Sequence, residues 1–446
     1  MIRHTSRSKK MFVLLVACVA VGGAVGLSRL SPWMVGSVVL AKEGGLNWYR
    51  GNMHTHSLWS DGDDYLESIG LWYRDNGYDF LVFTDHNVLA TTEKWVRPEE
   101  TKGGTKALDH LKARFPDWVE ERQTEGKREV RLRTFPEVSG KLSSPGEFLL
   151  IQGEEISDKF DGRPMHMNAS NVREVLTPRG GMTMAETIQN NVDAVLNQRA
   201  RLKQPMLPHL NHPNFHYAIA AEDLLQVRGE KFFEVYNGIH DCFSNGDELH
   251  ASMERIWDVL LSFRLTDLKL PVMYGLATDD SHNYHETPAV KHAQPGRGWV
   301  MVLADELEPG RLIESMEAGR FYSSTGVTLS RVVSDKSGLT VEVSGDEGAD
   351  YRIEFIGTKA NFPRESEAVV DKDGKPVLTT RKYSPEIGKV LSTVSGRSGT
   401  YQFQPDDVYV RARVTSTRAH HNPSYEGEVQ KAWVQPTPGP AAAGDE

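Results

Sequence analysis

Only two cysteines, Cys18 and Cys242, occur in the 446 residues, and this shortage excludes a disulfide framework. Basic residues are also scarce: 51 Lys and Arg face 61 Asp and Glu, for a formal net charge of -10. Binding to a nucleic-acid backbone is driven by Lys and Arg, so no nucleic acid is expected as the main partner. No internal repeat stands out, which sets arrays and solenoids aside. What remains is ordinary globular composition, 39% hydrophobic and 25% charged, with room for one large domain and a smaller one.

The first residues are basic and polar, and residues 11–27 are apolar. This is the layout of an export signal, with a small-residue cleavage site near Val39-Leu40-Ala41. Two alternatives also place the body outside the cytoplasm. Leu15-Val16-Ala17-Cys18 resembles a lipoprotein cleavage box, and the apolar run could stay as a membrane anchor, although it is short of the ~20 residues usually needed. A buried N-terminal helix fits the basic flank less well. Residues 1–41 are therefore read as an export signal or membrane tether, and the protein as periplasmic, secreted or anchored facing outward.

Histidine is plentiful, with sixteen in the chain. Many fall where short apolar stretches end. Seven such stretches read as strands: Tyr49–His56, Asp79–His86, Phe148–Ser157, Met165–Ser170, Pro205–His212, Phe232–Gly238 and Val272–His282. Most gaps between them could hold helices, which predicts a parallel sheet. Tyr65–Asn76 and Thr183–Leu202 read as helices, the second behind a Thr183/Glu186 capping-box pattern. Ionisable residues cluster at the C-terminal strand ends, where barrel enzymes build their sites. The expected fold is α/β, a distorted seven-stranded (β/α) barrel over residues 48–327. Residues 97–146 form a polar insertion in it, with a helix near Ala107–Glu121 and a strand at Arg128–Arg133. Alternating apolar and polar residues predict a smaller antiparallel β-sandwich over 328–435, either a buttress or a binding surface, and then a disordered tail over 436–446.

The motifs follow one another in a fixed order. They are His54-Thr55-His56, Ser60-Asp61-Gly62, Thr84-Asp85-His86, Gly153-Glu154-Glu155, His166, His212-Pro213 and Asp280-Ser281-His282. Two histidines one residue apart on a strand point to the same side and can grip one cation. As a set the motifs resemble the PHP family, named for polymerase and histidinol phosphatase domains. The stretches 148–157 and 277–284 look most like its branch of exported hydrolases that includes the carbaryl hydrolase CehA and the related McbA. The resemblance implies a distorted (β/α)7 barrel with two to three divalent metal ions, Zn, Mn or Fe. Carried over by position, His54 and His56 bind one ion with Glu155 and Asp280. Glu155 bridges to a second ion on His166 and His212, and Asp61, His86 and His282 hold a third. Gly-x-Glu selects Glu155 over Glu154, and Asp-x-His selects Asp280 over Asp279.

Carboxylates and imidazoles gathered on one rim repel or lie unpaired unless cations join them. Ions held there lower the pKa of bound water, so the expected activity is hydrolysis by a metal-bound hydroxide. The first expectation is a phosphoesterase acting on phosphate mono- or diesters. The second is a carbamate or carboxylic ester hydrolase on the same site, and the third a non-catalytic exported binding protein. The expected substrate is a small anionic or ester molecule. Asp61 and Asp85 are candidate orienting groups or ligands, His209 a supporting residue or substrate contact, and Arg163 a partner for an anionic substrate. Glu234 and Asn237 end the sixth strand beside the site or cap the sheet. Trp59 and Tyr284 wall the pocket or pack in the core. His240, His250, His285 and His292 read as loop residues, and His420-His421 as a solvated turn.

Overall fold

The computed structural model describes residues 38–39, 45–345 and 347–442. Apart from the strand Val38–Val39, the export signal or anchor lies outside the described residues. Among the described residues, no helix is long and apolar enough to cross a membrane.

The main sheet begins with β1 (Asn47–Asn52), β2 (Phe80–Phe83), β3 (Leu149–Phe160), β4 (Arg163–Ser170), β5 (Leu207–Leu210), β6 (Phe232–Asn237) and β7 (Tyr274–Thr278). It continues through β8 (Trp299–Ala304) and β9 (Phe321–Ser324). Spatial order follows the chain from β7 back to β1 and then passes to β8 and β9. Pairing is parallel for β1/β2, β2/β3, β5/β6 and β6/β7. Phe80-Leu81-Val82-Phe83 is buried throughout, as expected of a strand covered on both faces. The covering helices carry apolar stripes. In α1 (Leu66–Asp75), Leu66, Ile69 and Tyr73 are buried at helical spacing, and each aliphatic side chain so buried contributes ~1.5–3 kcal/mol. That helix stops at Asn76, and Gly77 follows at φ +75°, the left-handed backbone that closes many helices. The insertion supplies α2 (Gly104–Arg114) and α3 (Phe135–Leu142) beside a three-stranded sheet of Lys94–Val96, Lys127–Leu132 and Glu121–Thr124. In α4 (Met184–Leu202), the Thr183 hydroxyl accepts from Glu186 N, and Glu186 Oε2 accepts from Met182 N.

Two features differ from a uniform parallel barrel. No helix separates β3 from β4: they form an antiparallel hairpin, and β4 pairs antiparallel with β5. The cause is the two-residue turn Asp161-Gly162, with φ of 49° and 75°, whose twist matches paired strands. Second, no ladder joins β7 to β1, β8 or β9 among the described residues. The free edge of β7 is met by side chains instead. Ser323 Oγ accepts from Ala277 N and donates to Gly275 O, while the Gln435 amide exchanges two bonds with Gly275. Only at the C-terminal mouth do backbones meet, where His56 N donates to Ser281 O and Asp280 N to His54 O, each at 3.0 Å.

Beyond β9 come β10 (Leu329–Asp335), β11 (Gly338–Val343), β12 (Tyr351–Lys359), β13 (Lys389–Ser395), β14 (Ser398–Gln402), β15 (Asp407–Ala419) and β16 (Val429–Pro438). β10, β11 and β14 form one antiparallel sheet, with Val38–Val39 on its edge. β16, β15, β12 and β13 extend the main sheet through β9. A shared core that includes Leu339, Val341, Phe355, Ala412 and Val434 fills the space between. Helix α5 (Met253–Leu265) packs on this half, where Arg411 reaches Asp258 with two bonds of 2.8 Å. The start of the expected tail is ordered: β16 runs to Pro438, and Gly439 and Ala441 donate to Val408 and Asp407.

A candidate metal centre at the sheet's C-terminal mouth

β1 delivers His54 and His56 from its C-terminal end, and both rings are buried. His54 Nδ1 donates to Glu234 Oε1 at 2.7 Å, which turns its Nε2 toward the other site residues. That Nε2 lies 3.1 Å from His56 Nε2 and 3.1 Å from Asp280 Oδ1. His56 Nε2 is also 3.1 Å from Asp280 Oδ1, and Glu155 oxygens stand 3.5 and 3.3 Å from the two rings. Ligands on one ion at ~2.0–2.2 Å would sit roughly 3.3 Å apart in a tetrahedron. The four side chains match that spacing. Buried oxygens Asp280 Oδ1 and Glu155 Oε2 have no hydrogen-bond partner among the described residues. Buried anionic oxygens and imidazole nitrogens facing one point fit a divalent cation, which would take the place of ring protons.

The remaining donors surround this core. Glu155 Oε1 is 3.1 Å from His166 Nδ1 and 3.6 Å from His212 Nε2. Asp61 Oδ1 lies 3.2 Å from His282 Nε2, 3.5 Å from His86 Nε2 and 3.6 Å from His56 Nδ1. His86 Nδ1 is 2.8 Å from Glu155 Oε2. The structure thus brings together His54, His56, Asp61, His86, Glu155, His166, His212, Asp280 and His282. The side chain of His54 is fully buried and that of Asp61 is 42% exposed, so the cluster opens to solvent on the Asp61 side.

Local backbone sets these positions. Gly62 N donates to Ser57 O, and a Cβ on Gly62 would come within 2.6 Å of His56 backbone, so only glycine lets the Asp61 loop fold back this tightly. His212 and Asp280 adopt φ of 24° and 50°, a strained conformation that persists where surrounding bonds impose it. His212 N is tied to Glu234 Oε2 at 2.8 Å, and Asp280 N to His54 O.

Charges in the cluster are tightly interlocked. Burial would depress His54, but the Asp280, Glu234 and Glu155 carboxylates outweigh it and raise its pKa well above the ordinary value. Burial and the neighbouring His282 push His56 down to about 3. Burial opposes ionisation of Glu155, yet His86, His166 and His54 hold it well below the usual carboxylate range. His54, His56 and His282 do the same for Asp280 against burial.

Neighbouring carboxylates have different work. Glu154 faces away and accepts from Leu176 N, and burial raises it to about 7. Asp279 accepts from Gly296 N, Arg297 N, Gly298 N and the Tyr73 hydroxyl. Asp85 takes four bonds from Ser57 and Ser60, which fixes the turn leading to Asp61. It therefore orients that turn. His209 is fully buried behind His54, 3.2 Å from Asn168 Nδ2 and 3.6 Å from Glu234, and has no surface for a substrate. The Arg163 guanidinium donates to Ala218 O through one nitrogen and lies over the Phe160 ring. Trp59 packs in the core with its indole N–H on Arg133 O, and the Tyr284 hydroxyl bonds His56 O. His420 is not in a solvated turn: it is buried, and its Nε2 lies 3.0 Å from Arg297 O.

Residues outside the motifs complete the site. Glu234 accepts four bonds, from His54, Thr278, His212 N and Asn237. Asn237 also donates to Asp280 Oδ2 at 3.0 Å. Asn211 donates to Glu155 Oε1 at 2.7 Å and is braced by Asn168. Asn168 had one signal in sequence, a polar amide between the apolar Met167 and Ala169 on a buried strand, and Asn211 directly precedes the His212-Pro213 motif.

No family model matches the chain, and no curated protein does. Among solved structures, one similar chain is a two-domain protein from Bacteroides vulgatus containing a predicted PHP-like metal-dependent phosphoesterase. It is 14% identical, with 89% of this chain and 98% of that chain covered, at a TM-score of 0.37. A candidate metal-dependent phosphoesterase from Bifidobacterium adolescentis is 12% identical over 52% of this chain and 87% of its own, at 0.26. An amidohydrolase from Chromobacterium violaceum, solved with sulfate and no metal, is 11% identical over 53% and 88%, at 0.25. Likenesses this distant carry no argument about chemistry, which rests on the side chains described above.

Proposed function

We propose that the chain is a metal-dependent hydrolase of PHP type that cleaves phosphate mono- or diesters. The observation that carries this reading is the convergence of His54 Nε2, His56 Nε2, Asp280 Oδ1 and the Glu155 carboxylate at 3.1–3.5 Å in a buried pocket. His54, His56, Glu155 and Asp280 would hold one ion, His166 and His212 with Glu155 a second, and Asp61, His86 and His282 a third. Two to three such ions, when bound, would supply an acidified water and positive charge where oxygen becomes anionic.

The chain's own residues arrange the rest. Glu234 fixes the His54 tautomer, Asn211 holds Glu155 in place, and Asp85 shapes the turn that presents Asp61. On the open side, Lys102 Nζ donates to Asp61 O at 2.5 Å and lies 3.5 Å from its Oδ2. That exposed cation suits an anionic substrate. The apolar segment 11–27 behind a basic flank supports a location outside the cytoplasm, in the exported branch of the family.

The test is a panel of nitrophenyl phosphate, bis-nitrophenyl phosphate, nitrophenyl acetate and naphthyl carbamate, each with and without chelator, beside elemental analysis. Phosphate-ester turnover abolished by chelator is the expected result. Turnover of the acetate or carbamate alone would transfer the site to acyl substrates. A protein that binds no metal, or turnover indifferent to chelation, would overturn the hydrolase reading.

A further inference from the structure

A second group of ligating side chains lies apart from the nine above. Asp64 stands just before α1, His110 is on α2 of the insertion, and His285 is in the segment after β7. Asp64 Oδ2 is 3.1 Å from His285 Nε2 and 3.7 Å from His110 Nδ1, and one ligand atom from each lies within 4.8 Å of the others. The two rings meet edge to face, centroids 5.7 Å apart. Asp64 is buried and its Oδ1 is already taken by Tyr65 N. The His285 side chain is only 10% exposed. Its Nε2 is sealed from solvent and, despite its closeness to Asp64, makes no hydrogen bond among the described residues. His110 is half-exposed on the outer side of the group.

We infer that Asp64, His110 and His285 hold a divalent transition metal, zinc by the nature of two imidazoles and one carboxylate, with a fourth position open to water beside His110. The ion would be a clamp and not a reagent. It would tie the start of α1, the insertion and the segment after β7 into one unit. That unit carries functional residues on both sides. Asp63 N donates to His282 O, Asp63 Oδ1 accepts from Tyr284 N, and Asp61 and His282 border the solvent-facing side of the main cluster. The insertion would thereby be fastened to the mouth it overhangs.

The experiment uses the full chain, loaded with zinc, desalted, and examined by elemental analysis and by anomalous diffraction at the zinc edge. A peak between Asp64, His110 and His285 is expected, with one equivalent fewer in a His110→Ala/His285→Ala variant. Should the double variant fold poorly, His110→Gln on the exposed helix face reads the same loss. Equal zinc content in wild type and variants, or no peak at these residues, would overturn the inference. The outcome is separable from the hydrolase reading, since this equivalent should persist when His54→Ala removes metal from the main cluster.

Discussion

Glu234 gives the sharpest test of how the cluster is held. Each carboxylate oxygen accepts two bonds: Oε1 from His54 Nδ1 and the Thr278 hydroxyl, Oε2 from His212 N and Asn237 Nδ2, all at 2.7–2.8 Å. Glu234→Gln preserves shape but places an NH2 group against one of these donor pairs. Whichever way the amide turns, at least one buried donor with a fixed direction, His54 Nδ1–H or His212 N–H, faces a third donor. A buried donor left unsatisfied costs ~1–3 kcal/mol. If His54 loses its partner, that cost falls on the ring that binds the ion, and at ~1.4 kcal/mol per decade it amounts to roughly 5–150-fold in affinity. Removal of a carboxylate behind a ligating histidine elsewhere costs ~10–100-fold, in agreement. The assay is zinc affinity by competition with a chromophoric chelator, with circular dichroism to verify the fold. Affinity of a folded Glu234→Gln protein within about twofold of wild type would refute the argument, because His54 would then need no anionic partner.

Three further outcomes follow from contacts already described. His54→Ala or Asp280→Ala should abolish turnover while near-ultraviolet spectra of the β-rich half stay unchanged, and full activity of either would disqualify the cluster as the catalytic centre. Arg411 and Asp258, both buried, share two bonds of 2.8 Å, so Arg411→Ala should destabilise by ~3–5 kcal/mol in urea titration, whereas a joint Arg411→Met/Asp258→Leu replacement should recover only part of that loss, because Glu254 and the Tyr409 hydroxyl lose their partners. Burial raises Glu230 from 4.5 to about 8, so the folded chain keeps a proton the unfolded chain releases. The stability this provides is complete below the unfolded value and lost as pH rises through about 8, at up to ~1.4 kcal/mol per pH unit. Glu230→Gln should flatten that slope, and an unchanged stability profile would contradict it.

Much of the sheet could be read from apolar stretches with ionisable ends. Phe80–Phe83 is uniformly buried, and Val82 and Phe83 lead directly to the Asp85-His86 pair. Period-two geometry explains why His54 and His56 share a side, and why Glu154 and Glu155 part company. Where reading failed, the signals were short or distant. Asp161-Gly162 between two apolar runs is a hairpin signature, yet the expectation of helices hid it. His420 looked exposed because two adjacent histidines suggest solvent, and only the fold brings the Arg297 carbonyl to it. His54 and Glu234 are 180 positions apart, so no local pattern could reveal that they share a proton.

Because β16 ladders directly onto β9, and Gln435 caps the unpaired rim of β7, the C-terminal half is no detachable appendage. A fragment cut after residue 327 would bare two rows of backbone donors and acceptors at once, a template for intermolecular strand addition. Attempts to shrink this protein to a minimal catalyst should yield aggregates unless the severed margin is capped by proline, charge or a surrogate strand.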